Sequence, residues 1–104
     1  MNHDALTRFL GEKVLGWAVS EDGWRWLEDR WNPLVKLGHC APLLDKIEQD
    51  GWIVVMRYNP MLKGWSVTID KFQDEVSMVY AHSEKLTDAL CLTIAEAYGW
   101  EDGA

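Results

Sequence analysis

The chain has 104 residues, seven tryptophans and a formal net charge of −7. This length fits a single domain with one hydrophobic core over residues 1–104. No segment approaches the roughly 20 apolar residues that cross a bilayer, and the N-terminus lacks an apolar secretory core, so we expect a cytoplasmic protein without membrane contact. Lys and Arg are scattered along the chain, which argues against direct nucleic-acid binding because that binding requires clustered cations.

The first half of the chain is predicted to contain two helices, separated by a segment of ambiguous pattern. Apolar residues at helical spacing predict a helix over residues 4–15, and Gly16 ends it because glycine readily adopts the left-handed cap conformation. A second helix is predicted over residues 42–49, with a proline in its first turn and Gly51 after its end. Residues 17–38 mix helical and strand spacing, and we predict a loop that contains one short element.

The second half is predicted to hold three strands and a closing helix. The strands cover residues 52–58, 65–72 and 75–81, and the helix covers residues 87–98. The first strand is apolar at every other position on both faces, which predicts a strand covered on both sides. The second strand places three apolar side chains inward: Trp65, Val67 and Ile69. Together these elements predict an α+β fold, a helix–sheet–helix sandwich around a small antiparallel sheet.

Four short sequence motifs follow one another in a particular order along the chain. A helix ending in KVLGW (13–17) is followed by WNP (31–33), by GW (51–52) and, in the last helix, by LTDALC (86–91). This ordered set, over roughly Leu6 to Ala97, resembles the phage ABA-sandwich domain of small phage and prophage proteins. The resemblance implies an α-β-α sandwich and a phage or prophage origin, and it implies no catalytic residues.

Tryptophan and arginine alternate in the segment that the periodicity leaves ambiguous. A nucleotide base gains about 1–3 kcal/mol by stacking on an aromatic ring, and arginine can bind phosphate in a bidentate manner. We therefore predict a binding site for a small nucleotide-like ligand. The predicted ligand-binding residues are Trp24, Arg25, Trp26, Arg30, Arg57 and Tyr58. The same residue types also fit a homo-oligomer contact, and we expect an oligomer because it would help to enclose a ligand.

The remaining tryptophans have a structural interpretation. Trp17, Trp31, Trp52 and Trp65 belong to the family phrases, and we expect them in the core because buried aromatic rings dominate small cores. On this division, replacement of Trp24 by alanine is expected to leave the fold intact, whereas the same change at Trp52 is not.

Catalytic and metal chemistry are not indicated by the residue pattern. His82, Ser83 and Glu84 are consecutive, so we expect their side chains to diverge instead of forming a catalytic group. Cys40 and Cys91 are expected to be reduced core residues, and no paired metal ligands at short spacing predict a metal site. We predict no cofactor.

The expected function is therefore binding without catalysis. By analogy with other small phage proteins that counter host defence, the chain would sequester a nucleotide-derived immune signal in the host bacterial cytoplasm. An acidic protein-binding or DNA-mimicking inhibitor of a host protein is the alternative, because the acidic excess could imitate a phosphate backbone. An enzyme is the least favoured class.

Overall fold

The computed structural model describes residues 3–72 and 78–101. Within these residues the chain forms four α-helices and one antiparallel sheet of three strands. In chain order they are α1 (His3–Phe9), α2 (Glu21–Leu27), α3 (Ala41–Gln49), β1 (Ile53–Asn59), β2 (Gly64–Asp70), β3 (Met78–Ser83) and α4 (Leu86–Ala97). The sheet is a simple meander in the order β1-β2-β3. The predicted α+β class and the antiparallel sheet are confirmed.

The N-terminal helix is continued by a π-helical turn. This turn covers Leu10–Val14, and the helix then ends at Gly16 with a φ of +76°. The Trp17 N–H donates to the Gly11 carbonyl across the ending at 2.9 Å. Glycine is suited to this position because a residue with a Cβ is strained at positive φ. The predicted helix over residues 4–15 is confirmed in extent.

The ambiguous segment contains a capped helix. The side chain of Ser20 accepts a hydrogen bond from the Gly23 N–H at 3.1 Å, which places Ser20 at the N-cap of α2. The helical spacing of Trp24 and Leu27 is therefore the spacing that the chain follows. After α2, a short 3-10 turn (Leu37–Cys40) leads directly into α3.

Helix α4 covers one face of the sheet, which we call the helical side. The described residues leave the other face open. Residues of β2 and β3 that point toward α4 are buried: Val67, Ile69 and Ala81. On the opposite face, which we call the outer face, the described side chains of β1 and β3 are exposed: Ile53, Val55, Met78, Tyr80 and His82. The prediction that the first strand is covered on both sides is therefore wrong, because the described residues leave its outer face uncovered.

Helix α4 forms the middle layer of the molecule. It packs against β2 and β3 on one side and against α1 and the π-helical turn on the other. Seven of its twelve residues are buried as a result: Ala89, Leu90, Cys91, Thr93, Ile94, Ala95 and Ala97. Gly99, with a φ of +104°, follows its end as predicted. The helix is apolar nearly all round because it is covered on both sides.

The third strand and the start of α4 differ in detail from the sequence prediction. Residues 75–77 of the predicted strand lie outside the described residues, and β3 continues to Ser83. Helix α4 begins one residue before the predicted start, with Lys85 at the N-cap position, and the Thr87 hydroxyl donates to the Leu34 carbonyl at 2.8 Å. No helix within residues 3–72 and 78–101 is long and apolar enough to cross a membrane.

Candidate functional site

The six predicted site residues do not form one site. Trp24 and Arg25 line a cleft between α1, α2 and the segment after α2, which we call the helical cleft. Arg57 and Tyr58 line a second cleft on the outer face of the sheet, which we call the sheet cleft. Trp26 and Arg30 are not among the residues that line either cleft. The structure therefore separates residues that the sequence placed together.

Trp24, one of the predicted ligand-binding residues, belongs to the core. Only 7% of its surface is accessible, and its Nε1 donates to Glu12 Oε1 at 3.2 Å. The ring lies so close to Gly11 that a Cβ at that position would come within 2.7 Å of it. A ring held in this way packs α2 against the N-terminal helix, and its face is not available to stack on a base.

Trp26 is exposed, and its ring already has a cationic partner. The side chain is 59% accessible, and the Arg30 guanidinium lies over its ring at 4.3 Å from the centroid. The same guanidinium donates to the Trp26 carbonyl at 2.7 Å. This is a cation–π contact at the surface of α2, and it occupies both groups that were expected to bind a ligand.

The helical cleft has a volume of about 550 Å³ but unsuitable charges for a phosphate. Its two arginines are paired: Arg8 with Glu21 at 2.9 Å and Arg25 with Asp22 at 3.6 Å. Two further lining residues, Asp4 and Glu28, add negative charge. An anionic ligand would meet uncompensated carboxylates here, so this cleft disfavours a nucleotide.

The sheet cleft is similar in size and opposite in charge. It has a volume of about 540 Å³, and its lining within residues 3–72 and 78–101 contains one arginine, two tyrosines and no carboxylate. Arg57 makes no ion pair or side-chain hydrogen bond with any residue in the described ranges. The lining residues are Val55, Arg57, Tyr58, Asn59, Pro60, Ser66, Thr68, Met78 and Tyr80. The cleft thus combines an available cation, hydroxyl groups and apolar walls.

Three polar side chains form a hydrogen-bonded cluster on the same face. Ser66 Oγ lies 3.1 Å from His82 Nδ1 and 3.2 Å from the Tyr80 hydroxyl. The strand register explains the cluster, because Arg57, Ser66 and His82 are direct neighbours across β1, β2 and β3. Sequence reasoning missed this cluster because strand register is needed to bring Ser66 beside His82.

The cluster has the residue types of a nucleophilic site but lacks one requirement. A serine–histidine pair needs a third group to orient the imidazole. Among residues 3–72 and 78–101, no carboxylate hydrogen-bonds to His82. Ser83 is turned away and its Oγ accepts from the Lys85 N–H at 3.3 Å. The predicted divergence of His82 and Ser83 is confirmed, and the cluster is suited to hydrogen bonding with a ligand.

The two cysteines lie together in the core instead of at a surface. Both are free and buried, and their Sγ atoms are 3.9 Å apart. The hydrogen bond with Cys40, together with burial, raises the pKa of the Cys91 thiol far above its usual range. The prediction of reduced core cysteines is confirmed. Within the described part of the chain, no group of three or more His, Cys, Asp or Glu could hold a metal ion.

Comparison with known proteins gives no relative for this chain. The sequence matches no protein-family profile and no curated protein, and the fold matches no solved structure. The candidate site therefore rests on its own geometry and charge.

Proposed function

We propose that the chain is a non-enzymatic binding protein that captures a small, anionic, nucleotide-derived ligand in the sheet cleft. The observation that carries this proposal is Arg57, which has no partner and no lining carboxylate beside it in the described part of a chain whose formal net charge is −7. A cation with no partner among the described residues, beside hydroxyl groups and with no carboxylate in the described lining, favours a site for an anion.

The lining residues supply the contacts that such a ligand needs. Arg57 binds the phosphate group through its guanidinium. Ser66 and Thr68 line the same cleft, and their hydroxyls add hydrogen bonds to the ligand. The ring of Tyr80 offers aromatic surface to a base or a ribose. The Tyr58 ring contacts Trp65 on the helical side, with 5.3 Å between the centroids. Of the six residues predicted from sequence, this proposal keeps Arg57 as a ligand contact and Tyr58 as part of the cleft lining.

The biological role follows from the resemblance to the phage ABA-sandwich domain. A small phage or prophage protein that binds a nucleotide signal tightly, without converting it, would lower the free concentration of that signal in the host bacterial cytoplasm. Sequestration of this kind requires affinity and abundance, and it requires no catalytic group. The absence of a carboxylate beside His82 among the described residues is compatible with that role.

The proposal is tested by melting temperature in the presence of AMP, ADP-ribose and cyclic di-AMP. A ligand that binds only the folded chain raises its stability by about 2.7 kcal/mol at 100 times the dissociation constant. We expect at least one of these nucleotides to raise the melting temperature of the wild-type chain. Arg57→Ala should weaken binding about 10- to 100-fold, because it removes a charged hydrogen bond.

Arg25→Ala is the matched control because it removes an exposed arginine from the helical cleft. This variant should bind as tightly as the wild-type chain. If no nucleotide shifts the wild-type melting temperature, or if Arg25→Ala and Arg57→Ala bind equally well, the sheet cleft is not the site.

A second function is favoured by the exposed carboxylates of α2. Glu21, Asp22 and Glu28 are all exposed on this helix or at its end. An acidic inhibitor of a basic DNA-binding host protein would use such a surface. Its binding should weaken steeply as salt rises from about 50 to about 200 mM, and Glu28→Gln should reduce it. Binding that does not depend on salt would contradict acidic mimicry.

A further inference from the structure

The outer edge of β1 lies in the longest part of the chain without acidic residues. Residues 51–69 contain no Asp or Glu, although the whole chain contains 17 of them. The chain as a whole carries a formal net charge of −7, so two copies repel each other on average. Two copies can therefore meet along β1 without carboxylate repulsion.

β1 has few of the features that normally protect the edge of a sheet, and Arg57 is its one charged residue. Among the described residues it is an edge strand, because β2 is the only strand that pairs with it. Its seven residues contain no proline or lysine, and its pairing with β2 is one-to-one without a bulge. Its central residue, Met56, is 42% accessible despite pointing toward the helical side. A seven-residue edge that is mostly apolar and has no bulge is a template for pairing with another strand.

We propose that β1 pairs with β1 of a second copy, antiparallel about Met56, to form a continuous six-stranded sheet. This register pairs all seven residues of the strand. It places Met56 opposite Met56 of the partner copy and Val55 opposite Arg57. The outer faces of both copies then lie on the same side of the combined sheet, because residues of equal parity face each other.

This pairing completes the sheet cleft and identifies its ligand class, an inference that rests on the proposed function. The two Arg57 residues become diagonal neighbours on the shared outer face, where diagonal pairs are about 7–8 Å apart. Two like charges so close together are stabilised by a ligand that carries two phosphate groups. The shared site therefore fits one molecule with two phosphates, such as a cyclic dinucleotide, for each pair of chains.

The pairing is tested by molecular mass in solution. Light scattering should give twice the 12.0 kDa of one chain. Met56→Lys should give a monomer because two lysines would face each other directly. Leu62→Lys is the matched control: it adds the same charge at the exposed hairpin connection, outside β1, and should remain a dimer. A monomeric wild-type chain, or a dimer of Met56→Lys, overturns the pairing.

Met56→Cys tests the register with a variant that keeps the side chain apolar. Treatment with diamide should cross-link Cys residues at this position into a covalent dimer, while the matched variant Leu62→Cys should stay uncross-linked. The native cysteines do not interfere because both are buried. A dimer that cross-links through position 62 and not through position 56 overturns the proposed register.

Titration with cyclic di-AMP separates the pairing from the proposed function. We expect one nucleotide for two chains, and we expect Arg57→Ala to remain dimeric while losing at least about tenfold in affinity. One nucleotide bound for each chain would overturn the shared two-phosphate site. A dimer that binds none of AMP, ADP-ribose and cyclic di-AMP would instead overturn the proposed function and leave the β1 pairing in place.

Discussion

The tryptophans show how little a residue's type says about its surroundings. Trp24 and Trp26 are two positions apart in the sequence, and the first is core while the second is exposed. In a helix this spacing turns the two side chains by about 200°, whereas in a strand it would place them on one face. The sequence left the type of element open, and so it could not show that Trp24 packs into the core. Of the four tryptophans that were expected in the core, Trp31 is buried in it. The other three are partly buried and pack against it: Trp17, Trp52 and Trp65.

Replacement of Trp24 tests this reversal. Trp24→Ala should lower the free energy of unfolding by about 3–5 kcal/mol because it leaves a cavity against Gly11 and removes the hydrogen bond to Glu12. Trp26→Ala is the control, and it should cost about 1 kcal/mol or less because it loses only a surface cation–π contact. Urea denaturation measures both. Equal losses for the two variants would contradict the assignment of Trp24 to the core.

The thiols provide a second test of burial at single residues. Cys40 and Cys91 should not react with a soluble disulfide reagent in the folded chain, because both side chains are fully buried and the pKa of Cys91 is raised. Both should react at once in urea, which serves as the control. Rapid reaction of either cysteine without denaturant would show that the core opens around it.

At the scale of elements, the sequence predicts most boundaries and misses most contacts between them. Gly16, Gly51 and Gly99 each end a helix at positive φ, as their spacing predicted. The register of the strands was not predictable, because it depends on which residues the hairpins bring opposite each other. The cluster of Ser66, Tyr80 and His82 depends on that register, and so it could not be predicted from the sequence.

The ends of α3 and α4 are joined by a contact that should respond to pH. The Tyr98 hydroxyl donates to the Asp50 carboxylate, and this bond lowers the pKa of Asp50. A carboxyl whose pKa is lower in the folded chain stabilises it above the unfolded pKa of about 3.9, and this contribution is lost as the pH falls through the folded value.

Tyr98→Phe should therefore be less stable than the wild-type chain near pH 7, and the difference should shrink at pH values well below 4. Unfolding in urea at several pH values measures this difference. Lys46→Met is a useful comparison because it removes the weaker partner of the same carboxylate, at 3.2 Å. A Tyr98→Phe difference that stays constant from pH 7 to acid would exclude the hydrogen bond as its cause.

At the scale of the whole molecule, the pattern of predicted elements correctly indicated an α+β fold but not which surfaces are open. The sequence could not show that α4 would be the middle layer, because an all-round apolar helix and an amphipathic one differ by only a few residues. It also could not show that the outer face of the sheet stays uncovered in the described residues. The distribution of charge was nevertheless readable: residues 51–69 lack carboxylates, and both the sheet cleft and the β1 edge lie within or beside this stretch.

The central claim is that an anionic ligand binds to the sheet cleft and not to the helical cleft. Two-dimensional amide NMR of the chain during titration with AMP tests it most directly. The account predicts shifts concentrated at Arg57, Ser66 and Tyr80, and no comparable shifts at Asp22 or Arg25. Shifts concentrated at Asp22 and Arg25, or no shifts at saturating AMP, ADP-ribose and cyclic di-AMP, would contradict it.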